Sequence, residues 1–287
     1  MSLGILTNVA ATYAENNLNQ TQGSLQTVLQ QLSSGSRINS GADDAAGLSV
    51  ADGLHANEAA LTQSAQNAQN GVGLLQTADG ALSQVTNLLN RATTLATEAQ
   101  NGGLTAAQTT AADTEYQSII TEMGNIGTAT TFNGTAVFGA GATNFVVTDG
   151  TSGGTTTIGA VIGALTGGSV GTTGAPTATT AGAGAVLTGT SLTGGGAAAA
   201  ETAITAAVAD VANQRGSIGA NINQLNAAAN VASSEEVNLS SAESSIRSTN
   251  YGQATSDLAK YQVLSQTGIS ALAQANSVQQ EILKLLQ

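Results

Sequence analysis

Small and apolar residues recur at alternating steps of three and four through Ala11, Ala14, Leu18, Thr21, Leu25, Val28 and Leu32, which predicts one amphipathic helix. Ser33, Ser34, Gly35 and Ser36 interrupt it. A longer seam follows through Leu61, Ala65, Ala68, Val72, Leu75, Leu82, Leu89, Ala92, Ala96 and Ala99, with Asp79 and Thr86 at two of its positions. It ends at Asn101-Gly102-Gly103, a helix stop. A third helix is predicted to carry Ala112, Tyr116, Ile119, Met123 and Ile126 on one face.

Helical spacing returns late in the chain, in Ile204, Val208, Val211, Ile218, Ile222, Leu225, Ala229, Ala232, Leu239 and Ile246, with Arg215 and Glu236 as exceptions. The last segment repeats Tyr261, Leu264, Gly268, Ala271, Ala275, Val278, Ile282 and Leu285, flanked by Leu258, Leu272 and Leu286 on the next stripe. Three adjacent apolar columns are more than a two-stranded coiled coil needs, so this helix has surface for more than one neighbour. Between the helical flanks the pattern changes. Short runs such as NFVVT and TTTIGAVIGAL, set among Gly, Thr and Ser, read as short strands and turns, with Pro176 as a further break. The expected fold is mainly α with a small β-rich portion: an elongated antiparallel helical bundle with coiled-coil terminal helices and a Gly/Thr-rich β middle.

Composition narrows the function. Hydrophobic residues make up 41% of the 287, but aromatics only 2%, so the apolar mass suits helix seams better than a thick globular core. The formal charge of −12, with no basic run, speaks against nucleic-acid binding and against anionic membrane surfaces. No apolar run approaches the ~20 residues of a membrane span, and no insertion into a membrane is expected. The amino-terminal MSLGILTNVAATYAENNLNQ has no Lys or Arg before Arg37 and does not read as a cleaved signal peptide. Each end is nearly uncharged: Glu15 is the only ionic side chain before Arg37, and Asp257, Lys260, Glu281 and Lys284 cancel beyond residue 248.

Candidate chemistry is sparse. His55 is the only histidine and there is no cysteine, so neither a zinc cluster nor a Ser-His-Asp group is expected. Asp43 and Asp44 stand just before a predicted helix, where Ser40 and Asp43 read as caps or loop anchors. The glycine-rich GAGATNFVVTDG lacks the Lys-Ser/Thr ending of a phosphate loop. No catalytic, cofactor or metal site is expected.

At 32–54 the chain reads LSSGSRINSGADDAAGLSVADGL, at 130–138 TTFNGTAVF, and at 242–286 AESSIRSTNYGQATSDLAKYQVLSQTGISALAQANSVQQEILKLL. These segments resemble the bacterial flagellins. The resemblance implies a structural subunit that polymerises into the extracellular flagellar filament used for motility, exported through the flagellum's own channel without a cleaved signal. It implies nested layers: 1–40 and 248–287 as the helices of an inner tube, 41–138 and 197–247 as the halves of an inner core domain, and 139–196 as a variable surface region. Subunit contacts would then fall on Leu6, Leu18, Leu25, Leu32, Arg37, Asn39, Leu258, Leu264, Leu272, Ile282 and Leu286.

Partners implied by the same resemblance are further copies of the chain, the hook-associated junction and cap proteins, an export chaperone, and a flagellin-sensing Toll-like receptor. Leu89, Asn90, Arg91 and Glu115 resemble the receptor-contacting residues of the family, although Thr93 and Thr94 stand where many recognised members carry Arg and Glu. Two other readings are open: a flagellin-like junction protein between hook and filament, and a Thr-rich surface adhesin, which would demand a fixed repeat that the middle does not show.

Overall fold

The computed structural model describes residues 8–139, 142–148, 154–166, 169–170 and 186–285. Leu6, Asp149, Pro176 and Leu286 lie outside them, as do the side chains from Ile282 onward. The elements in order are α1 (Val9–Ser34), α2 (Ala45–Ala99), α3 (Ala106–Ala129), β1 (Thr131–Phe132), β2 (Thr135–Ala136), β3 (Ala142–Thr148), β4 (Thr155–Val161), β5 (Leu165–Thr166), β6 (Ser169–Val170), α4 (Ala197–Arg247) and α5 (Tyr251–Leu285). Helical flanks around a β-containing middle are what the residue pattern predicts. The chain divides into two compact units, one of residues 1–56 with 238–287 and one of 57–237.

Local chemistry sets the helix ends. Asn8 caps α1 by accepting from Ala11 N–H, and Gly35, at φ 72°, closes it in the left-handed conformation that glycine enters without Cβ strain. Thr105 and Gln108 form a reciprocal capping box at α3. Before α2 the two aspartates divide the work. Asp43 accepts from Asn39 N–H, Ser40 N–H and the Ser40 hydroxyl, which anchors the loop, while Asp44 accepts from Gly47 N–H and satisfies the first turn.

The core lies in the second unit, where Leu75, Leu82, Leu89, Tyr116, Met123, Leu187, Leu192 and Ile204 are all fully buried. Four side chains from the span 139–196, expected at the surface, are part of that core: Ile162, Leu165, Leu187 and Leu192. Small residues on the helices let two of the strands come close. β5 lies directly on Gly127 of α3, and Phe145 of β3 presses on Gly71 of α2, where an added Cβ would sit 2.9 Å from the ring. Tyr116 and Gln117 of α3 bond to Thr190, and Asp113 accepts from Leu192 N–H, fixing the segment that leads into α4.

Among the described residues the three strand pairs are antiparallel. β3 and β4 pair from Ala142↔Val161 to Thr148↔Thr155, and Ser64 on α2 accepts from Thr148 N–H at 3.0 Å. β1 and β2 are joined by Asn133 and Gly134, both at positive φ, as a two-residue hairpin turn demands.

Candidate functional site

In the first unit α1 and α5 pack together as an antiparallel pair. Asn8 donates to Ala275 O at 2.9 Å near one end, Gly268 receives Leu18 midway, and Thr249 donates from its hydroxyl to Gln31 O at 3.3 Å near the other. Ser36 and Ser248 form an antiparallel bridge between the two flanking segments. Arg37 extends this contact, donating from its backbone N–H to Arg247 O at 2.7 Å and from Nη2 to Ile246 O at 2.8 Å. Asn39 bonds locally, to Ser36 O at 3.0 Å.

The face of α1 that meets α5 is the expected one. Leu18, Leu25 and Leu32 are half-buried and Val28 is buried. On α5 the packed stripe runs through Leu258, Tyr261, Ser265, Gly268, Leu272, Ala275 and Gln279. It keeps Tyr261, Gly268 and Ala275 of the expected seam, but Ser265, Leu272 and Gln279 stand in place of Leu264, Ala271 and Val278, and the single partner helix covers only this narrow stripe. The remaining columns stay open: Leu264 is 43%, Ile269 55%, Val263 65% and Val278 43% exposed.

Most of the large exposed apolar side chains lie in this unit, which also holds Val9, Tyr13, Leu29, Val50 and Tyr251 on its surface. Among its described residues only Val28, Ile38, Ala51 and Ala254 are buried hydrophobics. Uncovered apolar side chains on both flanks of the packed stripe, beside so small a core, are the mark of a surface that other proteins cover. The α5 helix carries few charges. Lys260, with its ammonium 5.6 Å from the centre of the Tyr261 ring, is one of the few ionic groups along α5.

The loop of residues 35–44 is polar by contrast. Hydrogen bonds from Asn39 N–H, then from Ser40 N–H and the Ser40 hydroxyl, favour the charged form of Asp43 and hold its carboxyl below the usual carboxylate range. His55 is exposed on α2, its Nδ1 3.7 Å from Glu243.

A second group of sequence-marked residues lies on the other unit. Asn90, Arg91 and Glu115 are exposed, but Leu89 is completely buried in the core, so its side chain offers nothing to an outside partner. Arg91 and Glu115 hold each other bidentately, Nε to Oε1 at 2.7 Å and Nη2 to Oε2 at 2.9 Å. That hydrogen bonding raises the arginine's pKa and lowers the glutamate's. Thr93 and Thr94 turn their hydroxyls onto Leu89 O and Asn90 O and project no charge. No helix among the described residues is long and apolar enough to cross a membrane.

Residues 5–143 match the bacterial flagellin N-terminal helical region and residues 202–286 the bacterial flagellin C-terminal helical region, together over three quarters of the chain. Flagellin 1 of Proteus mirabilis is 37% identical over 152 residues, 53% of this chain and 42% of that protein. A flagellin of Serratia marcescens is 40% identical over 137 residues, 48% of this chain and 39% of that protein. The matches thus span less than half the length of these curated relatives. A crystal structure of Bacillus cereus flagellin aligns with 58% of this chain and 88% of its own, at 26% identity and a TM-score of 0.45.

Proposed function

The chain belongs to the bacterial flagellin family, and from that premise we propose that it is a structural, non-enzymatic subunit that polymerises with copies of itself into the extracellular flagellar filament used for motility. One observation carries the reading: the paired terminal helices leave Val263, Leu264, Ile269 and Val278 of a sparsely charged α5 uncovered. Burying apolar surface contributes roughly 25 cal/mol per Å², and little charge repulsion opposes stacking of like subunits. Subunits that meet through different surfaces, with a rotation that does not close, generate an open helical polymer rather than a ring.

In this assembly segments 1–40 and 248–287 form an inner tube and 41–138 with 197–247 the next layer. Leu18, Leu25, Leu32, Leu258 and Leu272 hold the pair together, and Leu264 with the open columns of α5 meets neighbouring subunits. Leu6, Ile282 and Leu286 extend the same contacts, and Arg37 and Asn39 shape the loop beside them. Hook-associated junction and cap proteins would use the same ends, an export chaperone would shield them before assembly, and export would use the flagellar channel without a cleaved signal. Electron microscopy after adding filament seeds to purified protein tests the proposal. Elongation of the seeds is expected; absence of polymer across a range of salt would overturn it.

A Toll-like receptor reading rests on the exposed Asn90, Arg91 and Glu115, without Leu89. Since Arg91 and Glu115 are already paired, a receptor must exchange that pair for its own contacts, and weak to moderate activation by monomer is expected. Arg91→Ala should lower it, and equal signalling from the variant would remove this surface from consideration.

A further inference from the structure

Three Asn-Gly pairs occur in the chain, at Asn70-Gly71, Asn101-Gly102 and Asn133-Gly134. A glycine after asparagine leaves its N–H unobstructed by a Cβ and free to reach backbone conformations closed to other residues, so the peptide nitrogen can approach the carboxamide carbon. The three pairs sit in different surroundings. Gly71 is inside α2, buried against Phe145 and Leu225, with its N–H committed to the helix. Asn133 and Gly134 form the tight turn between β1 and β2, held by the Phe132↔Thr135 pairing.

Asn101 lies just past the last turn of α2, and it, Gly102 and Gly103 are all exposed. Its Oδ1 accepts from Gly103 N–H at 3.3 Å. This bond folds the carboxamide back over the Asn101–Gly102 peptide and withdraws electron density from Cγ. Among the described residues Gly102 N–H donates to no backbone acceptor, and a Cβ at Gly102 would meet nothing within 4 Å. Asn133 and Gly134 are exposed too, and a Cβ at Gly134 would likewise meet nothing within 4 Å; what sets Asn101 apart is its Oδ1 bond to Gly103 N–H, whereas Asn133 is held at φ 50° in the hairpin turn.

We propose that Asn101-Gly102 is a modification site, at which the folded protein spontaneously converts Asn101 to aspartate and isoaspartate. Gly102 N attacks Asn101 Cγ, the Cγ–Nδ2 bond breaks, and ammonia leaves with the proton that Gly102 N gave up, closing a five-membered succinimide. Water then opens the ring at one carbonyl or the other. One opening gives aspartate, and the other gives isoaspartate, in which the main chain runs through the former side chain. Either product adds a carboxylate at the C-terminal end of α2, close in sequence to Glu98, where the helix dipole disfavours negative charge.

Peptide mapping by mass spectrometry tests the site on the full-length protein, aged at mildly alkaline pH both folded and unfolded in guanidinium. The unfolded chain should deamidate at similar rates at all three pairs. In the folded protein Asn101 should react about ten-fold faster than Asn70 or Asn133, equivalent to a barrier lower by about 1.4 kcal/mol. Gly102→Ala, which enters open space and should leave the circular dichroism unchanged, should slow the reaction at Asn101 strongly. Folded protein in which Asn101 reacts no faster than Asn133, or a Gly102→Ala variant that ages at the parental rate, would overturn the proposal.

Discussion

Asp79 on α2 and Arg215 on α4 hold each other through two hydrogen bonds, Nε to Oδ1 at 2.8 Å and Nη2 to Oδ2 at 3.3 Å. Each is a charged residue at an apolar-seam position of its own helix, and each accounts for the other. The hydrogen bond to Asp79 raises the arginine's pKa. Both side chains are more than a third exposed, at 39% for Asp79 and 38% for Arg215, so the pair is solvent-screened.

Asp79→Ala and Arg215→Ala should each lower stability, and their double-mutant cycle should give a coupling of ~0.2–1 kcal/mol, the range for a screened pair. The coupling should shrink in high salt. A coupling of zero at low salt would show that the two helices do not use the pair to fix their register.

Three substitutions, two of leucine and one of glycine, test the claim that part of the middle is core. Leu187→Ala and Leu165→Ala should each destabilise the second unit by ~2–5 kcal/mol, the cost of emptying a buried site. Gly127→Ala drives a methyl into the Leu165 carbonyl and should cost near the top of the ~1–3 kcal/mol usual for overpacking. Thermal melts that leave all three within a few tenths of the parent would place these residues at the surface after all.

The seams show what the residue pattern can and cannot tell. In α1 it names the packed face correctly, because apolar identity alone decides which side meets α5. In α2 and α4 one column is displaced by a single position: the buried residues are Ser64, Gly71, Ala78 and Val85, not Ala65, Val72, Asp79 and Thr86, and Ala207, Gln214 and Asn221, not Val208, Arg215 and Ile222. Periodicity weighs hydrophobicity, whereas Ser64 and Gly71 are buried for their small size, which admits Thr148 and Phe145 of the hairpin. The displaced column also puts Asp79 and Arg215 at the rim, where an ion pair keeps its hydration. In α5 the same displacement leaves Leu264 and Val278 open, which separates the residues that hold the pair from those left for a partner.

Asp43 gives the loop between α1 and α2 an acid-sensitive contribution to stability. Its folded pKa is depressed below its unfolded value, so the contribution is present above the ordinary carboxylate range and is lost as pH falls through the folded value. Asp43→Asn should lower the melting temperature at neutral pH and converge with the parent at strongly acid pH. Parallel pH profiles for the two proteins would show that Asp43 makes no difference to folding.

Substitutions on α5 separate folding of the subunit from its assembly. Ile269→Glu lies on the open face and should change monomer stability by no more than about 0.5 kcal/mol, as surface changes do, while abolishing polymer growth. Leu272→Lys lies in the seam with α1 and should loosen the terminal pair as well, because every packed arrangement must desolvate the charge. Filaments from Ile269→Glu at parental yield would exclude this face as a subunit contact.

Hydrogen exchange of the same protein in two states reaches the central claim most directly, that the terminal helices present a face completed only by other copies of the chain. A helix pair with so few buried residues gains little packing against the cost of ordering it. Amides of residues 9–34 and 251–281 should therefore exchange rapidly in the monomer and become strongly protected in the polymer, while the core of α2, α3 and α4 is protected in both. Protection of the terminal helices that is equally strong before and after polymerisation would contradict the account.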